Sequence, residues 1–188
     1  PKPTVRFSSY QAPWLPEFIP GIGKNPDNGV VLSYFLPENA DSNEVKLDIL
    51  DATGKVIRSF SSKKDEAFKP YPGGPRPNPT LPAMKGLHRF AWDFRSSGLP
   101  DIPGVFVYGD YTGHRVAPGK YSARMAYKGQ TSSVDFEIVP DPRLPTAPQD
   151  WADQQQTIEL VEAHIRDMHE CVNDLRKVKK QVDHLNES

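Results

Sequence analysis

GLHRFAWDFRSSGLPDIPG, Gly86 to Gly104, crowds His88, Asp93, Arg89, Arg95, Ser96 and Ser97 around a single tryptophan, Trp92. The residue types suit a hydrolytic site, and the spacing decides against one. If HRFAWDF is a strand, successive side chains alternate between its faces. His88, Phe90, Trp92 and Phe94 then point one way, and Arg89, Ala91, Asp93 and Arg95 the other. A histidine and an aspartate that work on a serine must lie within hydrogen-bond reach. His88 and Asp93 would stand on opposite faces about 16 Å apart along an extended chain, so they form no such pair. The stretch reads instead as a core strand whose aromatic row packs inward, followed by a loop, SSGLPDIPG.

Working outward, other runs show the same period of two. GVVLSYFL (Gly29–Leu36) is strongly β-prone, and EVKLDIL sets Val45, Leu47 and Ile49 against Lys46 and Asp48. DATGK (Asp51–Lys55) reads as a hairpin turn answered by VIRSF. GKYSARMAY and TSSVDFEIV form a second hairpin about Lys128-Gly129. With the opening strand and GVFVY (Gly104–Tyr108), about seven short strands are expected before Pro140, with no helical period among them. The expected fold is mainly β: an antiparallel immunoglobulin/fibronectin III-like β-sandwich of about seven strands with a long C-terminal α-helix.

Proline marks the boundaries, because it fixes φ and removes a backbone donor. The 20 prolines cluster in the entry segment, in one loop (Pro70 to Pro82) and after Pro140. The expected organisation is a proline-rich entry segment over 1–28, a β-sandwich over 29–140, a proline-rich linker over 141–148 and an amphipathic helix over 149–187. In the helix, Ile158, Val161, Ile165, Met168, Val172 and Leu175 follow 3-4 spacing, and Val178, Val182 and Leu185 continue it. Asp150 is the expected cap. Such a helix is on the order of 50 Å long, whereas a compact body of this size has a radius of gyration near 14 Å, roughly. Its apolar face, Ile158, Val161, Ile165, Met168, Val172, Leu175 and Val182, therefore calls for a partner: a second helix lost from the chain, or a second molecule in a helix-mediated homodimer.

Composition narrows the function classes. The chain is 37% hydrophobic and 25% charged with a net charge of −1. That balance supports a packed core and lacks the basic excess of a nucleic-acid binder. Cys171 is the single cysteine, so neither an internal disulfide nor a zinc-type cysteine pair is available. No apolar run is long enough for a membrane span. GIGKN (Gly21–Asn25) lacks the rest of a phosphate-loop pattern. His164, Met168 and Cys171 share a helix face but read as core edge rather than metal ligands. Arg176, Lys177, Lys179 and Lys180 suit the negative end of the helix dipole. No catalytic residue, cofactor or metal is expected. The remaining candidate ligand contacts are aromatics in proline-rich segments, Tyr10, Trp14, Phe18 and Tyr71. Aromatic faces of this kind stack on sugar rings, so a carbohydrate-binding module is an alternative expectation. The start, PKPTVRF, has neither an initiator methionine nor a signal-peptide pattern and suits an excised fragment.

Taken in order, EVKLDILDATGKVIRSF, KGLHRFAWDFR and RVAPGKYSARMAYKGQTSSVDFEIVPDPR form a recognisable series. It resembles the immunoglobulin-like domain of flagellar hook-capping proteins. It is still more similar to the module that follows the β-propeller in bacterial sortilin-type, BNR-repeat glycosyl-hydrolase-like proteins. That module opens on an N-P-x-x-G entry, here GKNPDNGVVLSYFL, and closes on D-P-R, here Asp141–Arg143, before helices. The resemblance covers Lys24 to the C-terminus. It implies a non-catalytic accessory domain of an exported bacterial protein (periplasmic, cell-surface or secreted) whose partner is the propeller of the parent chain or another protein. The propeller and its Asp-box motif are absent from this sequence, so the resemblance transfers no catalytic residue.

Overall fold

The computed structural model describes residues 2–6, 29–41, 43–107 and 110–187. It is mainly β with one C-terminal helix: β1 (Thr4–Arg6), β2 (Val30–Leu36), β3 (Val45–Asp51), β4 (Val56–Ser61), β5 (Gly86–Trp92), β6 (Gly119–Tyr127), β7 (Gln130–Pro140) and α1 (Pro148–Glu187). Five strands form one sheet in the order β1-β7-β6-β3-β4, and β2 pairs with β5 in a second. The larger sheet is mixed rather than antiparallel, because β1 runs parallel to β7. β1 lies in the proline-rich entry segment. Three residues on the outer edge of a sheet are a place where flanking proline is tolerated.

The turns follow from their residues. Asp51 Oδ1 accepts hydrogen bonds from the amides of Thr53 and Lys55 at 2.8 and 3.0 Å, and Gly54 takes φ of 84°. Between β6 and β7 both loop residues, Lys128 and Gly129, have positive φ, 47° and 75°. This is the two-residue hairpin geometry that matches strand twist.

The two sheets share one core. Leu32, Leu36, Phe90 and Trp92 of the small sheet meet Val45, Ile49, Phe136 and Ile138 of the large one. Trp92 is fully buried, with its ring centroid 6.1 Å from those of both Tyr121 and Phe136. The inward row expected for the opening stretch is observed: Phe90, Trp92 and Phe94 are buried while Arg89, Ala91 and Asp93 are exposed. The strand itself ends at Trp92, and Phe94 reaches the core from a left-handed backbone at φ 63°. Trp92 Nε1 donates to Arg95 O at 2.8 Å, tying down the chain as it turns away.

Of GVFVY, the described residues 104–107 do not form a strand. Gly104 adopts φ of 75° beside a turn closed by Val105 N to Ile102 O at 3.0 Å, and Phe106 is 69% exposed. The backbone carbonyls just before it go instead to helix side chains, described below. The helix also starts differently from expectation. Pro148 occupies the first helical position, and Asp150 Oδ2 reaches back to accept the amide of Ala147 at 3.1 Å. Asp150 is thus the return arm of a capping box rather than the cap itself.

Candidate functional site

The segment between β5 and β6 builds a lobe where the sequence offered a loop, SSGLPDIPG, and a strand, GVFVY. Residues 94–99 and 111–116 run against each other: Val116 N bonds Phe94 O at 2.8 Å, Ser96 N bonds His114 O at 2.9 Å, and Leu99 N bonds Tyr111 O at 2.9 Å. Ser97 N bonds Ile57 O of β4 at 2.8 Å and fastens the lobe to the sheet edge. The two arms press together at Gly113, where a Cβ would fall 2.2 Å from Ser96 Oγ and 2.4 Å from Ser96 O. No side chain fits there.

Helix α1 lies along this lobe, and the contact brings Ser96, His114, Gln155 and Glu162 together. Glu162 accepts the backbone amide of His114 through Oε1 at 2.8 Å and contacts its Nδ1 through Oε2 at 2.8 Å. Gln155 Nε2 lies 2.7 Å from His114 Nε2 and donates to Glu159 Oε1 at 2.8 Å, while its Oε1 accepts the Ala117 amide at 3.1 Å. These partners fix the tautomer: Nδ1 carries the proton toward Glu162, and Nε2 accepts from Gln155.

Serine, histidine and a carboxylate in one buried cluster suggest nucleophilic catalysis, so the wiring matters. In a working triad the acid holds one ring nitrogen and the serine uses the other. Here Ser96 Oγ lies 3.2 Å from Nδ1, the same nitrogen that faces Glu162. The basic nitrogen is occupied by Gln155, so His114 cannot take a proton from Ser96. The cluster is a clamp between helix and lobe.

Further along α1 the contacts remain polar. His169 Nδ1 bonds Pro100 O at 2.7 Å, Asn173 Nδ2 bonds Asp101 O at 2.8 Å, and Arg176 Nη1 bonds Pro103 O at 2.7 Å. The His169 ring stands edge-on to buried Tyr111, 5.7 Å between centroids. At the other end Arg6 lies 5.0 Å over the Trp151 ring and donates to Val116 O at 2.8 Å. Burial and then the nearby Arg115 lower the Arg6 guanidinium below its usual range, while Tyr121 opposes them.

The sequence-derived candidates sort as follows. His88 contacts Met84 O and tilts against Tyr34 with ring centroids 5.3 Å apart, whereas Asp93 accepts the Arg95 amide at 3.2 Å; they share no partner in common. Tyr71 is half-buried, its hydroxyl donating toward Asp101 Oδ2 and Ile102 O at 3.1 Å each, and its ring covers Gly74. Burial, then Tyr111 and Asp101, push its pKa up. The ring packs over Gly74 while its hydroxyl reaches the lobe. Tyr10, Trp14 and Phe18, and GIGKN, lie outside the described residues. Among the described residues no group of His, Cys, Asp and Glu side chains could hold a metal ion, and no helix is long and apolar enough to cross a membrane.

On the helix, Ile158 and Ile165 are half-buried, but Val161, Met168, Leu175 and Val182 are about half exposed or more, from 49% to 64%. The surface carries a dish lined by Asp51, Lys120, Tyr121 and Glu137, and a groove lined by Tyr34, Phe35, Met125 and Ser133. Neither brings a nucleophile to a histidine. Comparison with family models, curated proteins and solved structures finds no match for the chain.

Proposed function

We propose that the chain is a non-catalytic interaction module, an immunoglobulin-like accessory domain that holds a long helix rigidly and presents its apolar face to a partner. The observation that carries this reading is the division of α1 into two faces. One is fastened to the body by directional polar bonds from Gln155 to Arg176. The other leaves Met168, Leu175 and Leu185 exposed at 58%, 64% and 75%. Large apolar side chains aligned on one exposed face mark an interaction surface.

The setting follows from the resemblance: an exported bacterial protein in which the module stands after a sortilin-type β-propeller. The motifs behind that resemblance have structural work in this chain, which supports the reading. DATGK makes the β3–β4 turn. In D-P-R, Asp141 is buried and is gripped by the Arg143 guanidinium through Nε at 2.8 Å and through Nη2.

The test is enzymatic. Purified protein is expected to turn over neither glycoside nor ester substrates above buffer, and His114→Ala to leave that background unchanged. Turnover that disappears in His114→Ala while the circular dichroism spectrum is retained would overturn the reading.

A further inference from the structure

Resting on that reading, we infer that the exposed face of α1 takes a second copy of this chain, as a parallel, in-register two-stranded coiled coil over Val161–Leu185. The first ground is register. Val161, Met168, Leu175 and Val182 repeat every seven residues, and His164, Cys171, Val178 and Leu185 interleave with them three residues later. These are the a and d positions of a heptad seam. The body-docking residues Gln155, Glu162, His169 and Arg176 form a second seven-residue repeat, one position after a. At 3.6 residues per turn that places the seam roughly 100° to 160° around the helix from the body. A second helix can lie on it without displacing the clamp.

The second ground is the flanking pattern, which matches itself better in one orientation than in the other. In a parallel pair each g residue faces the e residue five positions on in the other chain. Leu160 then meets Ile165 of the second copy, Asp174 meets Lys179, and Gln181 meets Asn186: apolar with apolar, acid with base, amide with amide; the fourth pair, Asp167 beside Val172, is unmatched. In the antiparallel pair that aligns the same layers, Val172 meets Val172, but Asp174 faces Asp174 across the two-fold axis and Ile165 faces Lys179. Asp174 is paired within its own chain with Lys177 at 2.8 Å, a pair in which both side chains are more than 70% exposed. Such a pair contributes little, so it leaves Asp174 open to Lys179 of the second copy.

The native cysteine reads out the orientation. In the parallel pair the two Cys171 residues share a d layer, within reach of a disulfide; in the antiparallel pair each faces Leu175. Sedimentation equilibrium is expected to give twice the monomer mass, and mild oxidation a covalent dimer on a non-reducing gel. Leu175→Glu should abolish both without lowering the melting temperature of the body. Cys171→Ser with Glu170→Cys, an outward position, should not cross-link under the same oxidant. Three results would overturn the inference: a monomer up to hundreds of micromolar, equal cross-linking from the outward position, or a dimer that cross-links only through Met168→Cys with Val178→Cys in the Cys171→Ser background. A monomer would remove the second copy as occupant and leave the interaction-module reading intact, since that reading falls on turnover instead.

Discussion

The shared core of the two sheets and the seat of the helix are held together by different physics. In the core, side chains such as Trp92, Phe94, Ile49 and Ile138 lose nearly all contact with water, and the stabilisation follows from area and close packing. Under α1, the bonds run from side chains to backbone: Glu162 to the His114 amide, Gln155 to the Ala117 amide, and Asn173 and Arg176 to the carbonyls of Asp101 and Pro103. Each such bond adds only about 1 kcal/mol net, but an unmade one is costly and geometry-sensitive. Apolar area holds the sheets; directional bonds set the register of the helix. A helix seated through its polar face keeps its apolar face for something else.

The largest effect should come from the core. Trp92→Ala removes the central ring and leaves Arg95 O without its donor, and is expected to cost about 3–5 kcal/mol in chemical denaturation. Because Trp92 Nε1 also anchors the entry to the lobe, sheet and helix signals should fall together. Separate transitions would show that the lobe does not depend on the core.

Glu162→Ala probes the other side of the comparison. It strips two bonds from a largely buried histidine and should cost roughly 1–3 kcal/mol. The loss should be local: amides of α1 and of the 111–116 arm exchange faster, while those of β3 and β6 keep their protection. Glu162→Gln, which retains an acceptor for the His114 amide, should recover part of it. Uniform loss of protection across the sheets would erase the distinction between the two regions.

How much of this could be read from residues differs between the same two regions. A period of two is a direct trace of burial on one sheet face, so the strands around Val45, Phe90 and Phe136 were legible, as was the helix from its 3-4 spacing. The lobe was not. Its order comes from carbonyls of Pro100, Asp101 and Pro103 meeting side chains some 70 residues later, and a backbone acceptor leaves no mark on residue type. His114, Gln155 and Glu162 carried no periodic signal of their own. The faint one available was the seven-residue spacing from Gln155 through Glu162 and His169 to Arg176, polar residues at a repeat that a purely apolar reading passes over. The strand expected at GVFVY is missing over its described part, residues 104–107, for the same reason, because β-prone residues predict pairing only where a neighbouring strand is available.

The smallest effect concerns pH, and it falls within the sheets and at the edge of the clamp. Tyr34 donates its hydroxyl to Pro82 O at 2.6 Å, and Tyr121 donates to Ala117 O at 2.6 Å, beside the amide that Gln155 accepts. Burial pushes each phenol up from 10 to about 12. A phenol raised in the folded state keeps its stabilising contribution below the unfolded value of 10. The contribution declines as the unfolded chain ionises first, and is lost as pH passes the folded value. Stability should therefore fall between about pH 10 and pH 12. Tyr34→Phe should cost about 0.5–1.5 kcal/mol at neutral pH through the lost hydrogen bond. Its unfolding midpoint should then converge on that of the wild type as pH rises, because the variant has no phenol there to ionise. Parallel midpoint curves would mean that the Tyr34 hydroxyl titrates as it does in water. Tyr121→Phe should converge in the same way; convergence in Tyr34→Phe but not in Tyr121→Phe would mean that Arg6, whose charge opposes the upward shift of Tyr121, outweighs burial there.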